Sequence, residues 1–146
     1  DLILAIYVNE LLIRLLPEAD EYSELFEAYW HFIKNINHQS NPKKEYSLRI
    51  FENRLLQELG YGVDFKEDIE GNPIKSNSLY DFIEDQGFIG QTEGKILGEI
   101  LLNIESSNQA PPSSEGLNTL KKLNRKRLKP LLGDKPLKSK ELFFVN

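Results

Sequence analysis

The sequence predicts a mainly α-helical protein of about five to six helices with a small β-hairpin insert and no zinc module. Three segments among the first sixty residues repeat apolar side chains at helical spacing. Glycine and proline then interrupt residues 61–90, where two short apolar runs flank a glycine turn. The 146 residues contain no cysteine, which excludes a disulfide scaffold and a cysteine-based zinc site. This length predicts one domain, residues 1–146.

The first three helices are predicted over residues 2–16, 24–36 and 44–59. Each has apolar residues three, four and seven positions apart, which is typical of a helix with one buried face. Ser23 is the expected N-cap of the second helix. Gly60 is the expected left-handed residue after the third.

The rest of the chain is predicted as an insert, two further helices and a short terminal one. Within the insert, residues 65–90, the runs 79–83 and 88–89 predict a hairpin. Thr92 is the expected N-cap of a helix that reaches Ile104. A serine- and proline-rich linker follows, then a basic helix that starts at Ser114 and ends at 130–133. The basic helix and tail together span about residues 114–146, with a last helix at 139–144.

Charge is distributed unevenly along the chain. The net charge is −5, but residues 121–140 contain nine basic residues and one acid, a local charge of +8 against −13 for the remainder. Such asymmetry indicates an electrostatic binding surface. The chain begins at Asp1 and contains no methionine, so we expect it to be part of a longer protein. Its longest apolar run, residues 2–8, is too short to span a bilayer.

No set of residues predicts catalysis or a metal site. The two histidines, His31 and His38, lie on a helix and in a loop without metal-ligand spacing, and the acids of residues 64–70 fit a solvated loop better than an acid/base pair. The sequence therefore predicts a binding protein that is not an enzyme and that has no cofactor.

The basic segment is the main candidate for binding. On a helix, its cations form two rows that could lie along phosphates, whereas the alternative is a solvated helix whose cations complement its dipole. The lysine-rich turn around Pro136 resembles a preorganised anion site and favours binding. The candidate DNA-binding residues are Lys121, Lys122, Arg125, Lys126, Lys129, Lys135, Lys138 and Lys140.

Arg49 is a second candidate, on the third helix. A guanidinium beside apolar surface can hold a peptide carboxylate through two hydrogen bonds. The alternative is an ordinary i, i+3 pair with Glu52, and spacing alone favours that pair.

Several blocks, taken in order, resemble the recombination mediator family RecO over nearly the whole chain. The blocks are Tyr7-Val8-Asn9-Glu10-Leu11-Leu12, Arg14-Leu15-Leu16, Glu24-Leu25-Phe26, Leu48-Arg49-Ile50-Phe51-Glu52, Leu59-Gly60-Tyr61-Gly62-Val63, Leu128-Lys129-Pro130 and residues 132–143. The resemblance implies an N-terminal OB-fold that precedes this helical region, and a cytoplasmic, nucleoid-associated bacterial protein of DNA repair.

The resemblance also implies partners. Members of the family bind single- and double-stranded DNA, anneal complementary strands, and work with RecR to load RecA onto strands coated by single-stranded-DNA-binding protein (SSB). The acidic, phenylalanine-ended tail of SSB docks on the helical part, which implies a tail site at Arg49, Glu52 and Leu56. Many members carry a four-cysteine zinc module where this chain has none, so we expect no zinc and a hairpin held by packing alone. The alternative function is a structural scaffold without DNA contact.

Overall fold

The computed structural model describes residues 2–17, 22–106 and 110–140, and these residues form five α-helices and a three-stranded antiparallel sheet. The helices are α1 (Leu2–Leu15), α2 (Ser23–Asn35), α3 (Asn41–Glu58), α4 (Gly98–Glu105) and α5 (Ser114–Leu132). The strands are β1 (Leu79–Ile83), β2 (Gly87–Gly90) and β3 (Ile96–Leu97), and a 3₁₀ turn, Ile36–His38, follows α2. The predicted mainly α-helical fold with a hairpin insert is confirmed.

The end of α3 has the geometry that its glycine predicts. Gly60 has a φ of 88°, and its N–H donates to the carbonyl of Gln57 over 3.0 Å. The N–H of Tyr61 donates to the carbonyl of Leu56 over 2.8 Å. These two bonds form a Schellman motif, which closes the helix and directs the chain into the insert.

The predicted bounds of the basic helix are confirmed, whereas the predicted N-cap of the second helix is wrong. Ser23 lies inside α2, whose N-cap is Tyr22. Helix α5 begins at Ser114, as predicted, and the side chain of its N-cap, Ser113, accepts the N–H of Gly116 over 3.1 Å. Pro130 lies inside α5, which ends at Leu132 before Gly133, within the predicted residues 130–133.

The prediction that Thr92 is a helix N-cap is also wrong. It lies in a turn, and the chain then forms strand β3, which pairs with Leu79 and Tyr80 of β1. The helix therefore begins only at Gly98. This pairing joins residues far apart in sequence, so no local pattern indicates it.

The insert is held by more than apolar packing, which corrects the expectation of packing alone. Strand β1 lies centrally, with the strands in the order β2-β1-β3. The carboxylates of Asp64 and Asp68 each accept two backbone N–H groups at 2.7–3.1 Å, so these two acids form turns. The hydroxyl of Tyr80 accepts the N–H of Lys75 over 2.8 Å.

The buried apolar side chains form three clusters. The first joins α1, α2, α3 and Leu137 of the tail, residues 133–140. The second joins the insert to Leu101 of α4 and Leu123 of α5. The third consists of Tyr46, Leu117 and Leu120, between α3 and α5. Helix α5 therefore contributes buried leucines to the second and third clusters.

No helix among the described residues is long and apolar enough to cross a membrane. The same residues contain no group of three histidines or acids arranged to hold a metal ion. The predicted terminal helix, 139–144, lies largely outside the described residues.

Candidate functional site

Helix α5 has one apolar and one basic side. Leu117, Leu120, Leu123 and Leu128 are all buried, as their spacing predicts. Lys122, Arg125, Lys126 and Lys129 are exposed, and they lie three, four and seven residues apart, so they share one side of the helix. We call these four residues the basic face. Lys121 is half-buried at its margin.

The cations of the basic face have no carboxylate partners within the described part of the chain. The ion pairs found there involve Arg49, Arg54 and Lys66. Lys126 instead places its ammonium 5.9 Å from the centre of the Phe82 ring. The charge of the basic face is therefore available to an external anion.

The predicted anion site in the tail is occupied by the chain itself. The N–H groups of Lys138 and Ser139 donate to the two carboxylate oxygens of Glu10, over 2.7 and 3.0 Å. Partial burial raises the pKa of the Glu10 carboxyl, but these hydrogen bonds lower it by more, so its pKa lies below the ordinary value. The backbone of the turn is therefore unavailable to another anion.

Further contacts fasten the tail to α1. The guanidinium of Arg14 donates to the carbonyl of Leu132 over 2.7 Å, and Leu137 is buried in the N-terminal cluster. The side chains of Lys135, Lys138 and Lys140 are exposed. These three lysines remain candidates for contact with phosphates.

Arg49 lies in a buried polar network between helices. Its Nη1 is 2.6 Å from Oε1 of Glu52, and the same oxygen accepts Nδ2 of Asn124 over 3.1 Å. The hydroxyl of Tyr7 donates to the other oxygen of Glu52. Burial and the charge of Glu52 raise the pKa of Tyr7, so its hydroxyl stays protonated and continues to donate.

The three residues of the predicted peptide site are almost completely buried. Glu52 and Leu56 have no exposed surface, and Arg49 is 7% exposed. The guanidinium of Arg49 already holds an internal carboxylate, and its role toward a peptide stays a prediction. Neither Glu52 nor Leu56 reaches solvent, so their roles in a tail site also stay predictions.

Arg127 is a residue whose position the sequence analysis missed. It is 7% exposed, its Nη1 donates to Oδ1 of Asn53 over 2.9 Å, and its Nη2 lies 3.4 Å from the carbonyl oxygen of Tyr61. The guanidinium carbon lies 5.5 Å from the centre of the Phe65 ring. Burial lowers the pKa of Arg127 to about 10, against an opposing effect of Glu52, so the side chain remains a cation at neutral pH.

One signal in the sequence points to the burial of Arg127. It lies four residues after Leu123 and seven after Leu120, on the apolar side of α5. A cation at such a position needs polar partners from another element. Those partners, Asn53 and Tyr61, lie 74 and 66 residues earlier in the chain, so the sequence alone does not identify them.

Comparison with known proteins identifies the family. The model of the family described as "Recombination protein O C terminal" matches residues 1–141. A DNA repair protein RecO of Yersinia enterocolitica is 40% identical over 142 residues, which cover 94% of this chain and 58% of that protein. The RecO protein of Pseudoalteromonas translucida is 38% identical over 94% of this chain and 59% of its own length.

A third relative gives the same result. The DNA repair protein RecO of Coxiella burnetii is 38% identical over 98% of this chain and 62% of its own length. The chain thus spans about three fifths of the length of these curated relatives. The family model and these identities together show that the chain belongs to the RecO family, whose C-terminal region it matches.

Proposed function

We propose that the chain acts in DNA repair and homologous recombination by binding DNA through the basic face of α5. The observation that carries the proposal is the row of four exposed cations without carboxylate partners in the described residues. The names of the relatives, all DNA repair proteins, agree with it. Lys121 and the three tail lysines would extend the contact to further phosphates.

The physical basis is counterion release. Each phosphate that a cation neutralises releases a condensed counterion, so the logarithm of the affinity falls with the logarithm of salt concentration. The slope is about −0.9 per contact for duplex DNA and about −0.7 for a single strand. The net charge of −5 opposes binding at long range, so the affinity depends on the local basic face.

The test is a salt titration of binding to labelled single- and double-stranded oligonucleotides, followed by fluorescence anisotropy. Replacing all four residues of the basic face by glutamine should weaken binding and reduce the salt slope by about 0.7–0.9 per lost contact. The matched control replaces four exposed lysines elsewhere, Lys34, Lys43, Lys75 and Lys95, and so removes the same charge.

Two outcomes would contradict the proposal. An equal loss in the control variant would show that net charge, rather than the basic face, determines the affinity. Absence of binding at low salt would favour the alternative function, a structural scaffold whose basic face contacts a neighbouring protein and no DNA.

A second part of the proposal concerns a peptide partner. We assign Arg49 to the acidic C-terminal tail of SSB, as the family resemblance implies. The buried Nε of Arg49 has no hydrogen-bond partner in the described part of the chain, so this N–H can donate to a further acceptor. Because Glu52 already holds Nη1, a tail carboxylate would either join Glu52 at the guanidinium or displace it.

Arg49→Ala should therefore abolish binding of a tail peptide, measured by calorimetry, and Arg49→Lys should weaken it, since lysine lacks the planar fork. The control is Arg54→Ala, on the same helix, where a half-exposed guanidinium pairs with Glu24 and Glu58. Folding of each variant is checked by circular dichroism. A folded Arg49 variant that binds the peptide with unchanged affinity would remove Arg49 from the tail site.

The full proposal includes the remaining partners of the family. The DNA-bound chain, as part of a longer protein at the bacterial nucleoid, would promote strand annealing. It would also act with RecR to load RecA onto SSB-coated strands.

A further inference from the structure

A cleft of about 140 Å³ adjoins the basic face of α5. It lies between the second half of α5, the turn that follows α3, and the turn between β1 and β2. Its apolar and aromatic lining comes from Tyr61, Val63, Phe82, Pro130 and Leu131. An engineered apolar cavity of about 150 Å³ accommodates benzene, so a cleft of this size suits one six-membered ring.

The cleft is also lined by charges of both signs. Lys126 and Arg127 line it from α5, and Glu84 and Asp85 line it from the β1–β2 turn. A simple anion would meet two carboxylates there, and a simple cation would meet two cations. The ligand that matches this lining has a flat ring, hydrogen-bond donors on the ring, and a separate negative charge.

On the cationic side of the cleft, Arg127 is held by hydrogen bonds to neutral groups, a side-chain amide and a backbone carbonyl. Among the described residues, no carboxylate forms an ion pair with it. Lys126 belongs both to the cleft and to the basic face, where Lys122 and Lys129 lie one turn away on either side. A polyanion on the basic face would therefore pass the mouth of the cleft.

We propose that the cleft binds a single base of a DNA strand, with a preference for cytosine, while the adjoining phosphates lie on the basic face. This inference rests on the proposed DNA binding. Tyr61 is 50% exposed and offers its ring for stacking. Carboxylates accept hydrogen bonds from the N4 amino group of cytosine, whereas thymine has a carbonyl oxygen at that position, which the carboxylates of Glu84 and Asp85 would repel. The size of the cleft favours a pyrimidine over a purine.

The test compares affinities for oligo(dC) and oligo(dT) of equal length by fluorescence anisotropy. The wild-type chain should prefer oligo(dC) by about tenfold, the discrimination typical of one good base contact. The double variant Glu84→Gln/Asp85→Asn should lose this preference and bind oligo(dT) at least as tightly as before, since two negative charges are gone. Tyr61→Ala should weaken binding of both oligonucleotides by about tenfold through lost stacking.

The matched control is Glu70→Gln/Glu93→Gln, which removes two exposed carboxylates near the sheet but outside the cleft. It should keep the preference for oligo(dC). Equal affinity of the wild-type chain for the two oligonucleotides, with a steep salt slope, would overturn the base site and leave the proposed DNA binding intact. Absence of binding to either at low salt would overturn both.

A peptide ligand is the competing possibility for this cleft. If Glu84→Gln/Asp85→Asn alters the affinity for an acidic peptide with a terminal aromatic residue and leaves the oligo(dC) preference unchanged, the base assignment is wrong.

Discussion

The carboxylate of Glu52 is shared by side chains from three helices. Tyr7 of α1, Arg49 of α3 and Asn124 of α5 all donate to it, and it has no contact with solvent. A buried carboxylate is tolerated only when its charge is paired and its oxygens are hydrogen-bonded, and both conditions hold here. Glu52 therefore fixes how the three helices pack.

Glu52→Gln tests this role at the scale of one residue. The amide leaves the buried guanidinium of Arg49 without a counter-charge, so the free energy of unfolding should fall by about 3–5 kcal/mol. Urea unfolding followed by circular dichroism measures the change. Glu24→Gln, which breaks an exposed pair with Arg54, should cost less than about 1 kcal/mol. Equal costs for the two variants would contradict the assigned role of Glu52.

At the scale of elements, α4 is packed unusually closely against the insert. A Cβ at Gly98, the first residue of α4, would lie 2.0 Å from the backbone carbonyl oxygen of Lys75. The N–H of Gly98 also donates to the carbonyl of Ser78 over 2.8 Å. This position admits no side chain without movement of the insert.

Gly98→Ala should therefore lower the free energy of unfolding by about 3 kcal/mol, the upper part of the range for overpacking. The control is Gly90→Ala in β2, where an added Cβ would meet only Tyr80 Cε1, at an ordinary 3.9 Å. Thermal unfolding of both variants gives the comparison. If Gly98→Ala is no more destabilising than Gly90→Ala, the close approach of α4 to the insert is wrong.

The elements that local pattern predicts correctly are those whose signals lie within one turn or one hairpin. The four longer helices follow from apolar spacing, and the β1–β2 hairpin follows from its glycine turn. Strand β3 could not be predicted, since its two residues become a strand only by pairing with β1. Thr92 is a polar residue before an apolar run, so it resembles a helix N-cap. The pairing of β3 with β1 prevents a helix from starting there.

The candidate site also contains some features that local pattern predicts and others that depend on contacts between distant segments. The exposed cations of α5 follow from helical spacing, so the basic face could be predicted from the sequence. The burial of Arg49 and the position of Arg127 depend on contacts between α3 and α5, with Asn124 and Asn53, which lie 75 and 74 residues away in the sequence. The cleft could not be predicted, because it is lined by three separate segments of the chain.

At the scale of the whole molecule, the two ends of the described chain are joined by polar contacts. Glu10 and the backbone of residues 138–139 are separated by 128 and 129 positions in sequence. The bond between Arg14 and Leu132 adds a second link across 118 positions. The ionised carboxylate of Glu10 therefore contributes to the stability of the fold by joining α1 to the tail.

This link predicts an acid sensitivity. Because the folded pKa of Glu10 lies below its ordinary value of 4.5, the interaction stabilises the fold above about pH 4.5, and its contribution is lost as the pH falls through the folded pKa. Glu10→Gln should cost about 1–2 kcal/mol at neutral pH. The difference between wild type and variant should shrink in acid, as urea unfolding at a series of pH values would show.

The control for that series is Glu27→Gln, which removes an exposed carboxylate from α2. If the cost of Glu10→Gln does not change as the pH falls, the carboxylate of Glu10 does not stabilise the fold through its charge.

The contact between α1 and the tail also has a consequence for the order in which the protein forms during translation. The side of α1 that the tail covers is made early, but Leu137 and its neighbours leave the ribosome more than one hundred residues later. Until then, part of the apolar surface of α1 remains uncovered in the nascent chain. Transiently exposed apolar surface of this kind is what chaperones bind.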